Sequence, residues 1–335
     1  MITVSRLALS LALAGAAALA RGAPAAAPEP LGIAMEGYPY PFPVKQLALT
    51  VEGQDLRMAY MDVAPTGAPN GRTALLLHGK NFFGAYWEGP IRALAAAGFR
   101  VVVPDQLGFG KSSKPDLHYT FELLAQTTKR LLDELGVKEV AVVGHSMGGM
   151  LATRFALMYP QETKQLVLEN PIGLEDYRAK VPYQPVEANY KNTLSQTEES
   201  LRKFIGSYFA HWKDAYEPYV QVPYRWTLSS EYPRYARASA LTYDMIYTQP
   251  IVHDLPRIRA PTLLVIGQSD HTVVGRQLVS KEVLATLGDW AALGKKAATA
   301  IPGARLVDVA DCGHIPHLEA PEKFREALLA FLGSR

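Results

Sequence analysis

Six short runs of apolar residues, most of them followed by a stretch of helical period, constrain this chain's fold more than any other feature. The runs are TALLLHG (73–79), RVVVPD (100–105), EVAVVG (139–144), QLVLEN (165–170), PTLLVIG (261–267) and ARLVDVAD (304–311). Among them lie WEGPIRALAAAG (87–98), TFELLAQTTKRLLDELG (120–136), MGGMLATRFALMY (147–159) and PEKFREALLAFL (321–332). A strand without polar alternation is buried on both faces, and strands separated by helices are joined by crossovers that leave them parallel. Two earlier segments, Gln46–Val51 and Leu56–Val63, alternate loosely around EGQD and read as a hairpin. The expected fold class is α/β, a mostly parallel eight-stranded sheet with helices on both faces.

From Pro171 to Arg259 this rhythm stops. Polar, proline- and tyrosine-rich sequence replaces it, and 11 of the 17 tyrosines fall between Tyr177 and Tyr247, together with Trp212 and Trp226. A structureless linker of that length is unusual in a compact domain. Residues 171–259 are therefore expected to form a mostly helical cap, inserted into a core built from 46–170 and 260–335. A helix is expected over TEESLRKFIGSYFAHWKDAY (197–216), and the stretch 275–300 is long enough for two.

The N-terminus has a different character. MITVSR carries one arginine and leads into an apolar run from Leu7 to Ala20. That run is shorter than the roughly 20 residues a membrane span needs. Ala18 and Ala20 make an A-x-A cleavage pattern, with further choices near Ala23 and Ala27. The layout is that of a secretory signal peptide. Residues 1–23 are expected to be removed, leaving a periplasmic or secreted protein without a stable membrane anchor. Residues 24–45 then read as a linker, through APAAAPEP (23–30), and an N-terminal extension. A net charge of +2 with no run of five like charges gives no reason to expect nucleic acid. The single cysteine, Cys312, rules out an intrachain disulfide and CxxC metal sites, and reads as a packed small residue.

Chemistry concentrates at VAVVGHSMGGM (140–150), where a buried strand runs into G-x-S-x-G and then a helix. A turn that tight holds Ser146 in a strained conformation with its hydroxyl above the sheet edge, so Gly144 and Gly148 must lack side chains. Gly149 lets the helix pack close to the strands. The helix points its amino end, and the N–H of Met147, at any oxyanion formed on the serine. A serine hydroxyl needs a base, and the base needs an orienting acid. Asp270 lies three residues past Gly267, just beyond a buried strand, and His314 stands between the last strand and the last helix. Both lie at carboxyl ends of strands, where open α/β sheets place their sites.

These segments resemble the α/β-hydrolase family, in its serine-nucleophile members with an inserted helical cap. The resemblance covers about Gln46 to Leu332. It rests on LLLHGKNFFG, PDQLGFGKS, GHSMGG, the strand ending near Asp270, and GHIPHLEAPEKF, with the cap as its least similar part. The chain order Ser, Asp, His is also the family's. The resemblance implies that His78-Gly79 opens an oxyanion loop, that the N–H of Lys80 joins that of Met147 there, and that Asp105 to Ser112 is a structural loop. No cofactor is implied.

The expected activity is hydrolysis of a small carboxylic ester through an acyl-enzyme, with Ser146 as nucleophile, His314 as base and Asp270 orienting the imidazole. A serine nucleophile argues against haloalkane and epoxide chemistry, which needs a carboxylate there. HGKNF in place of HGGPG weighs against a proline iminopeptidase. C–C bond, lactone or amide hydrolysis and perhydrolysis stay open, as does a non-catalytic protein that captures a small ligand under the cap. Glu169, beside Asn170 at the end of the strand before the cap, is an alternative acid. Asn81, Phe82, Trp87 and His145 are candidate pocket residues, with Phe83 and Tyr86 nearby. His271 and His317, taken with Asp270, Asp311 and His314, match no common metal-ligand spacing, so no metal is expected. The Lys80 side chain either binds an anionic substrate group or stands in solvent while its N–H acts.

Overall fold

A computed structural model describes residues 28–334. The expected signal peptide and the first residues of the expected linker lie outside the described residues. Among those described, no helix is long and apolar enough to cross a membrane.

Eight strands form one sheet in the order β1-β2-β4-β3-β5-β6-β7-β8. The hairpin β1 (Val44–Val51) and β2 (Gln54–Val63) is antiparallel, and β2 also runs antiparallel to β4 (Arg100–Pro104). From β4 onward the neighbours β3 (Thr73–Leu77), β5 (Val140–His145), β6 (Thr163–Glu169), β7 (Thr262–Gly267) and β8 (Arg305–Val309) are parallel. Every residue of β5 and β7 is buried, which is why these segments read as unbroken apolar runs.

Helices cover both faces. On one, α1 (Glu88–Ala96) packs beside the C-terminal α11 (Pro321–Gly333), with Ile91, Leu94, Phe324 and Leu328 meeting Ala74, Leu76 and Val101 of the sheet. On the other, α2 (Phe121–Glu134) and α3 (Met147–Met158) lay Leu124, Leu131 and Phe155 against Leu75, Val142 and Leu166. Thr120 starts α2 by accepting the Leu123 N–H at 3.0 Å, one of the donors a helix start leaves unpaired.

The cap lies between β6 and β7. It holds α4 (Val186–Leu194), α5 (Glu198–Gly206), α6 (Pro218–Thr227) and α7 (Tyr232–Thr248). The helix expected over 197–216 stops at Gly206. The chain turns there because the next residues bond to the core: the Tyr208 carbonyl accepts the His314 N–H at 2.6 Å, and the Ala210 N–H donates to Glu319 at 2.8 Å. The stretch 275–300 does hold two helices, α8 (Lys281–Leu284) and α9 (Trp290–Ala300); the short α10 (Pro316–Glu319) precedes α11.

The extension before β1 packs more closely than a linker would. Leu31, Ile33 and Met35 are buried with Phe83 and the cap's Trp226, Tyr232 and Tyr235. The Leu31 N–H donates to the Arg225 carbonyl at 3.0 Å, and the Trp226 Nε1–H to the Gly32 carbonyl at 3.2 Å. Alternation of apolar side chains at 31, 33 and 35 supplies the face that docks. The extension thus straps cap to core.

Candidate active site

β5 ends at His145, and Ser146 turns the chain into α3 with φ 56° and ψ −119°. An L residue is held in that region only when its surroundings over-determine it. Here the Ser146 N–H donates to the Glu169 carbonyl at 3.0 Å. The neighbouring glycines leave no alternative: a Cβ on Gly144 would lie 2.1 Å from the Gly148 carbonyl oxygen, and one on Gly148 would lie 2.1 Å from that of Leu77. The packing of helix against strand therefore excludes any side chain at either position, and the serine is carried at the mouth of the turn.

Around the serine hydroxyl the loops after β7 and β8 converge. His314 Nε2 lies 2.9 Å from Ser146 Oγ, and His314 Nδ1 lies 2.6 Å from Asp270 Oδ2. Asp270 is held in turn: Asn170 Nδ2 donates to Oδ2 at 2.9 Å and the Thr272 N–H donates to Oδ1 at 2.8 Å. Asn170 is itself fixed by the Gly267 N–H on its Oδ1, at 2.9 Å, with φ at 35°. All three side chains are buried, the serine least so. A carboxylate on Nδ1 leaves Nε2 as the free lone pair, so this line can take the serine proton into the ring and stabilise the charge that results.

Glu169, the other acid considered, is turned away from His314. Its carboxylate accepts the His317 N–H at 2.6 Å and faces His317 Nδ1 at 2.9 and 3.0 Å. Thus the two histidines of the last loop take one carboxylate each. Among the described residues no group of three or more His, Cys, Asp or Glu is placed to hold a metal ion.

The oxyanion loop follows β3. His78 Nε2 accepts the Gln106 N–H at 3.0 Å, so its Nδ1 carries the proton and donates to the Gly79 carbonyl at 2.9 Å. Asp105 secures the same region, accepting the Gly84 N–H at 2.6 Å, the Lys111 N–H at 2.7 Å and the Tyr40 hydroxyl at 2.6 Å. Asn81 Nδ2 donates at 2.7 Å to the hydroxyl of Tyr208, whose ring stacks on His314 with centroids 5.0 Å apart. Tyr208 is a residue of the cap that reaches the site, and one aromatic among many in 171–259 carried no sequence signal for it. Phe82 stacks on Tyr86 at 4.9 Å. Two residues considered for the pocket are taken up by packing instead. Trp87 is fully buried with its ring stacked on His317 at 4.2 Å, and both ring nitrogens of His145 are engaged within the core.

The Lys80 ammonium is neither in solvent nor on an anion. It donates to the Ser239 carbonyl at 2.7 Å, the Ser239 hydroxyl at 3.2 Å and the Thr242 hydroxyl at 2.9 Å, all on α7. It therefore ties the loop after β3 to the cap. Burial without a compensating carboxylate pulls its pKa down from the usual 10.5 to about 7. Lys114, on the Ser112 and Gly110 carbonyls, is also lowered to about 7 by burial, which outweighs the opposing pull of Asp105 and Glu36. A lysine with a depressed folded pKa binds fewer protons folded than unfolded between the two values. Stability should accordingly rise with pH from about 7 towards 10. Urea midpoints at pH 6.5 and 9 are expected to increase in that order, with a smaller increase in Lys80→Met. A wild-type midpoint that falls over this range would contradict the placement of both ammonium groups.

An open, mostly parallel sheet with a serine elbow and a buried Ser–His–Asp line at its strand ends defines a serine hydrolase with a cap. The profile of the alpha/beta hydrolase fold matches residues 75–321, and the chain belongs to that family. It is 48% identical to a probable hydrolytic enzyme of Pseudomonas aeruginosa PAO1, with a TM-score of 0.89 over 91% of this chain and 98% of that one. The 2-hydroxy-6-oxononadienedioate/2-hydroxy-6-oxononatrienedioate hydrolase of Paraburkholderia phymatum is 30% identical over 295 residues, 84% of this chain and 92% of the relative. Lipase 1 of Psychrobacter immobilis is 28% identical over 292 residues, covering 85% and 83% respectively. The protein is a hydrolase.

Proposed function

We propose that this chain hydrolyses the carbon–carbon bond beside a ketone in an unsaturated hydroxy-oxo acid, with Ser146 as nucleophile. The observation that carries the chemistry is the line from Asp270 through His314 to Ser146, at 2.6 and 2.9 Å. The observation that favours this substrate over an ester is the naming of four curated relatives, 26–30% identical, for hydroxy-oxo dienoates or dienedioates. Hydrolysis at the ketone of such a compound has no ester or amide bond to break, so it must break carbon–carbon. His314 takes the serine proton as Oγ attacks the ketone carbon, and the N–H groups of Met147 and Lys80 hold the oxyanion. For this the 2-hydroxydiene first shifts to its 2-oxo tautomer, the enol proton moving to the carbon beside the ketone; collapse then releases that carbon as a dienolate conjugated to the 2-oxo group, which takes the proton back from His314. Water, activated by the same imidazole, frees the acid from the acyl-serine.

Small carboxylic esters are the second reading, supported by the similarity to Lipase 1. Both reactions use one machine and differ in the leaving group. The two are separated by comparing kcat/KM on 2-hydroxy-6-oxo-6-phenylhexa-2,4-dienoate, followed by loss of its conjugated absorbance, with kcat/KM on p-nitrophenyl butyrate. The dienoate is expected to be favoured by about 100-fold or more, equivalent to roughly 2.7 kcal/mol in the transition state. The reverse order would return the ester reading. The leader-like N-terminus supports export; the intact mass of protein recovered from a periplasmic fraction should lack the residues up to about Ala23, and a full-length mass would refute it.

A further inference from the structure

A buried chain of hydrogen bonds joins the oxyanion loop, the nucleophile elbow and the base loop, and none of its side chains belongs to the triad. The Gly79 N–H donates to the Tyr86 hydroxyl at 3.0 Å. That hydroxyl lies 3.0 Å from His145 Nδ1, and His145 Nε2 lies 2.8 Å from the carbonyl oxygen of His314. The proton positions follow from chemistry. A carbonyl only accepts, so His145 Nε2 carries the hydrogen, and Nδ1 of the neutral ring is a bare acceptor that Tyr86 must fill. Tyr86 accepts from Gly79 and donates to His145 without conflict. Burial, with His314 and His317 close by, holds the His145 pKa well below its usual value, which keeps the ring in this neutral form.

Three members of the chain lie on or next to a reacting group. Gly79 precedes Lys80, His145 precedes Ser146, and the carbonyl belongs to His314 itself. The loop also lies directly against the elbow: a Cβ on Gly79 would be 3.0 Å from His145 Nδ1 and 3.2 Å from Ser146 Cβ. The Lys80 side chain is tied to the cap instead. Within the core, the Tyr86 hydroxyl is what holds the Gly79 N–H.

We propose that Tyr86 and His145 are positioning residues, which together set the spacing of oxyanion donor, nucleophile and base. The inference rests on Ser146 as nucleophile and is independent of whether the substrate is an ester or a hydroxy-oxo acid. Errors of this kind weaken the transition state more than the ground state, since misplacement of reacting groups by about an ångström can cost on the order of 100-fold.

The test uses the full-length mature protein with Tyr86→Phe, His145→Gln and the double variant, each assayed well below its own melting midpoint. Two readouts are taken: the second-order rate of labelling by a fluorophosphonate, and kcat and KM on p-nitrophenyl butyrate. Each single variant is expected to lose about 10- to 100-fold in kcat and in labelling rate, with KM within about twofold of wild type. The double variant should fall short of the product of the two single losses by about fivefold or more, because the two side chains act as one unit. Tyr86→Phe removes a single oxygen and His145→Gln keeps a donor for the His314 carbonyl, so one of them reports even if the other folds poorly. Wild-type labelling rates in both singles, losses confined to KM, or a double variant equal to the product would each overturn the proposal while leaving the serine mechanism standing. An unlabelled wild type would overturn both.

Discussion

Asp270→Asn is expected to lower kcat by about 10⁴-fold, short of the roughly 10⁶-fold loss from Ser146→Ala or His314→Ala, while the protein stays folded. The reason lies in how the carboxylate is surrounded. Oδ1 accepts the Thr272 N–H at 2.8 Å, and Oδ2 accepts both Asn170 Nδ2 and His314 Nδ1 at 2.9 and 2.6 Å. An asparagine offers one acceptor and one donor to three donors. If its oxygen meets Thr272, its NH₂ faces Asn170 and the imidazole, and His314 must present a bare Nδ1. The proton then moves to Nε2, the nitrogen 2.9 Å from Ser146 Oγ, and the ring can no longer take the serine proton. If the amide is turned over, its NH₂ collides with the Thr272 N–H. Asn170 has no freedom to yield, because its own oxygen holds the Gly267 N–H. Steady-state kinetics on the better of the two substrates reads the effect. An Asp270→Asn protein within tenfold of wild type would remove Asp270 from the mechanism. Combining Asp270→Asn with Ser146→Ala should cost little beyond Ser146→Ala alone, since without the nucleophile the orientation of the base is idle.

The parts of this site that were legible from sequence share a physical property: each sits where a local pattern changes. Ser146 stands at the switch from β5 to α3, Asp270 just past β7, and His314 between β8 and α10. Parallel strands buried on both faces announce themselves as apolar runs, so their ends, and the residues held there, can be found without a structure. The choice between Asp270 and Glu169 could not be found that way. Both stand at the ends of buried strands that pair with each other, and which carboxylate meets His314 depends on the path of the loop that carries this histidine, 44 residues past Asp270 and further still from Glu169. Tyr208 was hidden for a related reason. Its segment has helical composition, and only contacts to His314 and Glu319, more than 100 residues on, end the helix at Gly206. The Lys80 ammonium illustrates the same limit: its partners lie on α7, 159 and 162 residues away. Asn170 was visible as a strand-end residue, yet its hold on Asp270 was not.

Glu169→Ala should reverse the signature of Asp270→Asn, lowering stability by about 3 kcal/mol or more while kcat of the folded protein falls less than tenfold. Glu169 has no exposed surface, and its oxygens take both the backbone N–H of His317 at 2.6 Å and the ring Nδ1 at 2.9 and 3.0 Å. Removing them leaves two donors in a space closed to water, each costing on the order of 1–3 kcal/mol, and a cavity beneath the sheet adds to that. The His317 ring cannot swing out to find solvent, because it is stacked on Trp87 with centroids 4.2 Å apart and meets Tyr86 edge-on at 4.7 Å. The catalytic line is spared because the elbow is held by the Glu169 carbonyl, which alanine keeps, and His314 remains on Asp270. Urea unfolding gives the stability change, and kinetics at low temperature give kcat for the folded fraction. Asp270 and Glu169 therefore separate on two axes, one kinetic and one thermodynamic. A Glu169→Ala protein as stable as wild type but slower by several orders of magnitude would assign the acid's role to Glu169, and the hydrogen bond between His314 and Asp270 would lose its catalytic meaning.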